Sequence, residues 1–185
     1  MTPRPIRAKP ENQSIRFAIG ECSLGLILVA SSQTGICAIS LGDEAAQLTN
    51  ALHHRFPQAQ PINGDPDFER LIAKVISFIE APASKTDLPL DVRGTDFQQR
   101  VWQTLQTIPA GSTASYTDIA NRIGSPQAVQ AVAGACAANR LAVVIPCHRV
   151  IRTDGSLSGY RWGVKRKEEL LRREYQARQA GYSGH

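Results

Sequence analysis

The chain contains 185 residues, of which 42% are hydrophobic, and it carries a formal net charge of +5. This is ordinary for a globular protein with one substantial core or two small ones. The four cysteines form no CxxC pair, no stretch approaches the roughly 20 apolar residues of a membrane span, and the N-terminus lacks the apolar core of a signal peptide. We therefore expect a cytoplasmic protein without disulfides or a bound metal.

The positive charge is concentrated towards the C-terminus. Residues 1–138 contain 11 Lys and Arg against 12 Asp and Glu, whereas residues 139–185 contain 10 against 4, so the balance changes from −1 to +6. This asymmetry fits a surface that binds a polyanion, and it equally fits a solvated basic helix.

The first part of the sequence predicts a mixed α/β domain over residues 13–93. In "SIRFAIGECSLGLILVASSQTGICAISLGD", β-rich apolar runs are broken at two turns, which predicts three strands in a meander. "DEAAQLTNALHHRF" and "PDFERLIAKVISFIE" have helical spacing, with Ala45 among the inward positions, and "LPLDV" predicts a further strand. The Pro-rich, basic residues 1–12 are typical of a disordered leader or linker.

A second, helical domain is predicted over residues 94–178. Capping boxes indicate where two of its helices begin: Thr95 with Gln98 in "TDFQQRVWQTLQTIP", and Ser115 with Asp118 in "SYTDIANRIG". The overall expectation is an α/β (α+β) fold of two domains.

Two short helices joined at Gly124 form a candidate helix-turn-helix. The second, "SPQAVQAVAGACAAN", has Ser125 as its expected N-cap and Pro126 at the first helical position. Its faces are rich in Ala and Gly, so it could approach another backbone closely. A pair of packed core helices fits the same pattern.

A closing helix, "KRKEELLRREYQAR", is expected to turn Leu170, Leu171 and Tyr175 inward. Glu168 with Arg172, and Glu169 with Arg173, have the i,i+4 spacing of ion pairs. Residues 179–185 would follow as a flexible tail.

The segment "IPCHRV" places Cys147 next to His148. A thiol is a strong nucleophile only as the thiolate, so a neighbouring base and Arg149 indicate a nucleophilic cysteine. Pro146 permits a turn in place of a regular strand, in which adjacent side chains point to opposite faces. The alternative is a buried, inert thiol, to which we assign the other three cysteines, Cys22, Cys37 and Cys136.

Glu174 is a candidate partner for His148, because a catalytic base usually has a group that orients it. The alternative is a surface carboxylate paired with Arg178, one turn further along the same helix. The spacing alone fits both.

Together with Asn139 before it and "GYRWG" after it, "IPCHRV" resembles the active-site signature of the O6-alkylguanine-DNA alkyltransferases. "FQQRVWQTLQTIPAGSTASYTDIANRIG", "AVAGACAAN", "DGSLSGYRWGVKRKEELLRRE" and "LVASSQTGICAISLGD" are similar to the Ada-like branch of that family. The resemblance covers residues 13–175.

The resemblance implies a ribonuclease-H-like N-terminal domain and a helical C-terminal domain with a helix-turn-helix. It implies that Cys147 accepts the methyl group of O6-methylguanine, and also of O4-methylthymine, with His148 as base through a water molecule and Glu174 orienting it. The thioether is stable, so the protein would be a methylated-DNA–[protein]-cysteine S-methyltransferase with a single turnover. Asn139 would brace the active-site turn, and Tyr160 would donate a hydrogen bond to the extruded guanine.

The implied partner is double-stranded DNA containing O6-alkylguanine, bound by a monomer without a cofactor, metal or membrane. The helix-turn-helix would enter the minor groove and the damaged base would rotate out of the stack. Tyr116 would press on the phosphate of the target nucleotide, and the carbonyls of Cys147 and Val150 would read the exocyclic amine. The other expected DNA contacts are Gln127, Ala128, Gln130, Arg149 and Arg161.

Several positions depart from common features of the family. Gln130 stands where the family usually has an arginine that inserts into the base stack, and Gln127 replaces a common lysine. Two positive charges are missing, which predicts weaker binding or less efficient base flipping. Arg161 and Trp162 replace small residues of some relatives, which predicts a narrow pocket that prefers methyl groups.

Two other functions compete with this interpretation. A non-reactive, alkyltransferase-like lesion-binding protein would keep the DNA-binding helix but lack the acceptor cysteine, so Cys147 argues against it. A Cys-His hydrolase would need a distant histidine and an Asn or Asp, and an adjacent His148 gives it little support.

Overall fold

The computed structural model describes residues 14–62, 64–81 and 87–183. It divides into two compact units. One extends to Ser77 and includes Leu88–Val92; the other begins at Phe78, omits Leu88–Val92 and continues from Arg93. The predicted leader, residues 1–12, lies outside the described residues.

The first unit is built on the predicted meander, which is confirmed. Strands β1 (Arg16–Cys22), β2 (Gly25–Ser31) and β3 (Ile36–Gly42) pair antiparallel, with Val29 opposite both Ala18 and Ile39. Four consecutive residues of the central strand, Ile27 to Ala30, have no exposed surface. Since alternate side chains point to opposite faces, both faces of β2 are covered.

Two helices cover this sheet. Helix α1 (Ala45–Arg55) packs Leu48 and Leu52 into the cluster that contains Leu28, whereas α2 (Pro66–Glu80) lies against the face that carries Ile27. A Cβ at Gly20 in β1 would be 3.5 Å from Ile76 of α2, an ordinary van der Waals distance, so the helix packs directly on this strand. Ala45, expected to face inward, is exposed because it lies in the first turn of α1, before the buried stripe begins.

The fourth strand of the sheet differs from the prediction. A two-residue strand β4 (Gln60–Pro61), which the sequence did not indicate, pairs parallel with β1, giving the order β3-β2-β1-β4. "LPLDV" forms only an isolated bridge between Leu90 and Ile36. Pro89 accepts a hydrogen bond from Ile36 but has no N–H to donate, which limits pairing there.

The second unit contains both predicted capping boxes. Helix α3 (Asp96–Leu105) begins after Thr95, and α4 (Tyr116–Arg122) begins after Ser115; each cap exchanges two hydrogen bonds with the third helical residue. Short parallel strands β5 (Ala114–Ser115) and β6 (Val150–Ile151) join the start of α4 to the segment after Cys147.

Helix α5 (Val129–Ala137) begins later than expected. Ser125 and Pro126 were predicted to open it, but the N-cap is Ala128, whose N–H donates to the backbone carbonyl of Ser125 in a separate turn. Gly124, with φ of 79°, makes the connection from α4. The indole N–H of Trp102 donates to the carbonyl of Ala135 over 2.8 Å and ties α3 to α5.

The last helix, α6 (Val164–Ser183), runs beyond Arg178, where the predicted tail would begin. The expected inward position of Tyr175 is wrong: it is 59% exposed. Its buried stripe is instead Lys167, Leu170 and Glu174, spaced i, i+3 and i+7, and Tyr175 falls about 100° away. No helix within residues 14–62, 64–81 and 87–183 is long and apolar enough to cross a membrane.

We predict that Thr95→Ala lowers the free energy of unfolding by about 1 kcal/mol, because one backbone N–H of α3 loses its side-chain acceptor. Chemical denaturation measures the change. Gln103→Ala, on the exposed surface of the same helix, is the control and should change stability by less than about 0.5 kcal/mol. An equal effect of both substitutions would contradict the cap.

Candidate active site

A pocket of about 510 Å³ opens in the second unit. The helix-turn-helix forms one wall, with Tyr116 from α4 and the small side chains of Ala133 and Ala137 from α5. Cys147 forms part of the wall, and the segment that precedes α6 contributes Tyr160. The volume lies within the range of small-molecule sites.

Cys147 begins a short 3₁₀ turn, Cys147–Arg149, so the predicted turn after Pro146 is confirmed. Two tight turns lead into it: the N–H of Val144 donates to Ala142 over 2.7 Å, and the N–H of Cys147 donates to Ile145 over 2.8 Å. The first forces Val143 to a φ of 69°, which is strained for a β-branched residue. The segment before Cys147 is therefore held in a conformation that its own sequence does not favour.

Asn139, 1% exposed and two residues beyond α5, holds this segment in place. Its side-chain amide donates to the carbonyl of Ile145 over 2.9 Å and to Sγ of Cys147 over 3.3 Å. Its oxygen accepts from the N–H of Leu141 over 2.9 Å. One buried side chain thus fixes both the backbone before Cys147 and the thiol itself.

Glu174 lies beside His148, and the alternative pairing with Arg178 is wrong. The carboxylate of Glu174 is 2.8 Å from Nε2 of His148, and the guanidinium of Arg149 donates to both of its oxygens over 2.9 and 2.8 Å. Arg178 donates to the hydroxyl of Ser112 over 2.6 Å. These contacts connect the 3₁₀ turn to α6.

The same contacts overturn the expectation that Arg149 binds DNA. Arg149 is 2% exposed, and its third hydrogen bond reaches the carbonyl of Ile108 over 2.6 Å. If the Arg149 guanidinium moved to bind a phosphate, the buried carboxylate of Glu174 would lose its ion pair, which is energetically costly.

The protonation states follow from burial and from these bonds. Burial raises the pKa of Glu174, but the hydrogen bonds from His148 and Arg149 outweigh it and lower the pKa to about 2. Burial lowers the pKa of His148 below its usual value. A neutral imidazole next to a carboxylate carries its proton on Nε2, so Nδ1 is an acceptor. That Nδ1 is buried and has no hydrogen-bond partner among the described residues.

Two thiols line the pocket, and their surroundings distinguish them. Burial raises the pKa of Cys136 to about 12, and the negative charge of Cys147 adds to the effect. Burial also raises the pKa of Cys147, but the hydrogen bond from Asn139 and the positive charges of Lys167 and Arg161 oppose it. Cys147 is the thiol whose ionisation the site assists, in keeping with the assignment of Cys136 as inert.

Lys167 is a buried cation that sequence reasoning missed. It is 1% exposed and donates to the carbonyl of Val150 over 2.7 Å and to Oγ of Ser158 over 2.9 Å. No carboxylate in the described part of the chain forms an ion pair with it. Its spacing from Leu170 and Glu174 on α6 was the available signal, hidden among the neighbouring exposed lysines and arginines.

Tyr160 has a buried hydroxyl without a hydrogen-bond partner among the described residues. Burial, then the negative charges of Cys147 and Glu174, raise its pKa well above the usual value, so it stays a neutral donor. Its ring packs edge-on against His148 and Trp162, with centroids 6.4 and 5.2 Å away. Trp162, expected to narrow the pocket, therefore lies behind Tyr160, and Arg161 is the bulky residue that lines it.

The expected DNA contacts are placed unevenly. Gln130 and Arg161 line the pocket, and Arg161 also donates to the carbonyl of Ala137 over 3.1 Å. Gln127 is exposed in the turn before α5, and Ala128 is the N-cap of that helix. The hydroxyl of Tyr116 is hydrogen-bonded to Ser158 in the pocket wall.

The two carbonyls expected to read a base already accept hydrogen bonds within the chain. The carbonyl of Cys147 accepts from the N–H of Val150, and that of Val150 accepts from Lys167. Each keeps one further lone pair. The described residues, including those of this site, contain no group of three or more His, Cys, Asp or Glu that could hold a metal ion.

Comparison with known proteins assigns both parts of the chain. The DNA-binding domain model of 6-O-methylguanine DNA methyltransferase matches residues 96–176, and the ribonuclease-like domain model matches residues 15–92. The chain belongs to the 6-O-methylguanine DNA methyltransferase family. The expected fold, a ribonuclease-like N-terminal domain and a helical DNA-binding domain, is thereby confirmed.

Individual members of the family are similar to most of the chain. The bifunctional transcriptional activator/DNA repair enzyme Ada of Escherichia coli is 54% identical over 94% of this chain, which spans 49% of that protein. The inducible methylated-DNA–protein-cysteine methyltransferase of Bacillus subtilis is 37% identical over 87% of this chain and 85% of its own. The crystal structure of Mycobacterium tuberculosis OGT in complex with DNA has a TM-score of 0.74 at 33% identity, covering 88% of this chain and 94% of that one.

The neutral, buried state of His148 predicts a loss of stability in mild acid. Below its unfolded pKa of about 6.5 the unfolded chain binds a proton that the folded imidazole refuses, so the free energy of unfolding falls as the pH drops. The slope from this one group reaches at most about 1.4 kcal/mol per pH unit. Denaturation between about pH 7 and about pH 5 measures it.

His148→Gln should flatten this pH dependence, whereas His54→Gln, on the exposed surface of α1, should leave it unchanged. Glu174 does not interfere in this range, because a carboxyl with a pKa of about 2 contributes stability that is lost only below its unfolded value of about 4.3. The same slope in wild type and His148→Gln would show that His148 is not buried neutral.

Proposed function

We propose that this protein repairs duplex DNA by moving the methyl group of O6-methylguanine, and of O4-methylthymine, onto Sγ of Cys147. The observation that carries the proposal is the placement of this thiol in the wall of a pocket bordered by the helix-turn-helix, 3.3 Å from the amide of Asn139. Membership of the family, and a relative of the same architecture in complex with DNA, support it.

The transfer is a single displacement at the methyl carbon. The bond from Sγ of Cys147 to the methyl group forms as the bond from the methyl group to O6 breaks. The thiol proton passes through a water molecule to the unpaired Nδ1 of His148, which Glu174 keeps in the accepting tautomer. The leaving guanine takes up one proton, so a thiol and O6-methylguanine become a methyl thioether and guanine.

The remaining polar groups stabilise the charges of this step. The ammonium of Lys167 opposes the rise in the pKa of the Cys147 thiol that burial causes. Tyr160, a neutral phenol with an unpaired O–H, donates to the extruded guanine and helps its oxygen to leave. Asn139 positions the sulfur. Burial disfavours the Cys147 thiolate, the Lys167 ammonium and the imidazolium that His148 becomes on taking the proton, and the hydrogen bond to Glu174 stabilises this last charge.

The damaged base reaches the pocket by rotating out of the DNA double helix. The thiol is 5% exposed within the pocket, so a stacked base cannot reach it and the nucleotide must rotate out. The exposed face of α5 carries Gly134 and Ala137, and a Cβ at Gly134 would meet no atom within 4 Å. Such a face fits the narrow minor groove closely. Gln130 lines the pocket and fills the space that the extruded base leaves in the DNA base stack.

Incubation with duplex DNA that carries isotopically labelled O6-methylguanine tests the proposal. We predict one methyl group per protein molecule at most, located on Cys147 by peptide mass spectrometry, and none in Cys147→Ser. Cys136→Ser is the matched control, since this second thiol lines the same pocket and should leave the label on Cys147.

Two results would contradict the proposal. Release of a methylated product with repeated turnover would exclude a stoichiometric acceptor. Binding of the lesion without any transfer would favour the alternative, a non-reactive lesion-binding protein.

We further predict that Gln130→Arg accelerates transfer from duplex DNA, because it restores a cation on α5 at the pocket. The dependence of log rate on log salt concentration should steepen by up to about one unit, because the added cation displaces counterions from the DNA. Gln103→Arg, on the exposed surface of α3, adds the same charge away from the pocket and should change neither value. A slower Gln130→Arg variant would show that glutamine is the better residue here.

A further inference from the structure

Helix α5 (Val129–Ala137), which borders the pocket, carries no charged side chain. A nucleotide whose base enters the pocket remains linked to its phosphates, so at least one phosphate must lie at the pocket mouth. Neutralising it is the largest general source of affinity for DNA. The cation for this phosphate therefore has to come from another element.

Arg152 and Arg161 line the pocket, and Arg149 and Lys167 are buried in the same unit; three of these four are already engaged. Arg149 is buried on Glu174, and Lys167 is buried on Val150 and Ser158. Arg161 donates to the carbonyl of Ala137 and lies over the ring of Trp162 at 6.0 Å. The fourth, Arg152, lines the pocket, is exposed, and its side chain has no hydrogen bond or ion pair with any residue in the described ranges.

The backbone of Arg152 is fixed although its side chain is not. The N–H of Arg152 donates to the carbonyl of Ser156 over 3.1 Å, and its carbonyl accepts from Gly155 over 2.8 Å. The next residue, Thr153, is hydrogen-bonded to Thr117 of α4 over 3.1 Å. The guanidinium is thus attached to a turn that is held against the helix-turn-helix, and Tyr116 of α4 lines the same pocket.

We propose that Arg152 binds a phosphate of the extruded nucleotide from the loop side of the pocket and so supplies the positive charge that α5 lacks. A guanidinium forms two parallel hydrogen bonds with phosphate oxygens, which orients the nucleotide as well as attracting it. Arg152 is a positioning residue: it contacts the backbone of the substrate and leaves the thiol, His148 and Glu174 untouched. The inference rests on the proposed methyl transfer.

The experiment compares two substrates that differ in phosphate: duplex DNA carrying O6-methylguanine, and the free base O6-methylguanine. Arg152→Gln should slow transfer from the duplex about tenfold and reduce its salt dependence by about one unit, because one phosphate contact is lost. Transfer from the free base should stay at the wild-type rate. Arg152→Lys should restore the salt dependence but only part of the rate, since an ammonium binds phosphate without the fork geometry.

Arg172→Gln is the control, because Arg172 is exposed on α6, pairs with Glu169 and does not line the pocket. It should leave both substrates and the salt dependence unchanged. An unchanged salt dependence in Arg152→Gln, or an equal loss on the free base, would overturn the role of Arg152. Failure of the wild type to acquire a methyl group on Cys147 from either substrate would instead refute the proposed function.

Discussion

The site depends on the hydrogen bonds that the buried carboxylate of Glu174 accepts. This carboxylate accepts hydrogen bonds from His148 and Arg149 while 1% exposed, and through Arg149 it connects α6 to the carbonyl of Ile108 beyond α3. A buried ion pair seldom stabilises a fold more than apolar packing would. What it provides here is specificity: with the carboxylate ionised and fully hydrogen-bonded, the adjacent histidine has one tautomer and one orientation.

A second consequence is the balance of buried charge. Arg149 and Glu174 neutralise each other, His148 is neutral, and Lys167 adds one positive charge with no carboxylate partner among the described residues. The buried set therefore has a net charge of about +1 while Cys147 is a thiol and about zero when it is a thiolate. The ammonium that a core would normally avoid thus makes ionisation of Cys147 less costly.

Sequence reasoning predicted the elements better than the contacts. The meander and both capping boxes follow from local patterns, because strand alternation and caps depend on neighbours within a few residues. Helix α5 starts at Val129, later than Ser125 and Pro126 suggested, because the carbonyl of Ser125 closes a separate turn by accepting a hydrogen bond from Ala128. The burial of Arg149 and Lys167 could not be predicted from the sequence. Their partners are distant along the chain, so in the sequence they do not differ from the exposed arginines and lysines beside them. Only their positions on turns and helix faces distinguish them.

The same distinction divides the C-terminal positive charge among several places in the structure. The excess of positive residues after position 138 suggested either a polyanion-binding surface or a solvated basic helix. Part of it serves neither purpose, because Arg149 and Lys167 lie inside the site. Arg172 and Arg173 pair with Glu169 on the outer surface of α6, as in a solvated helix. Arg152 and Arg161, which line the pocket, are on the loop before that helix, so under the proposed function the binding of DNA there depends on where a charge is placed and not on how many the segment contains.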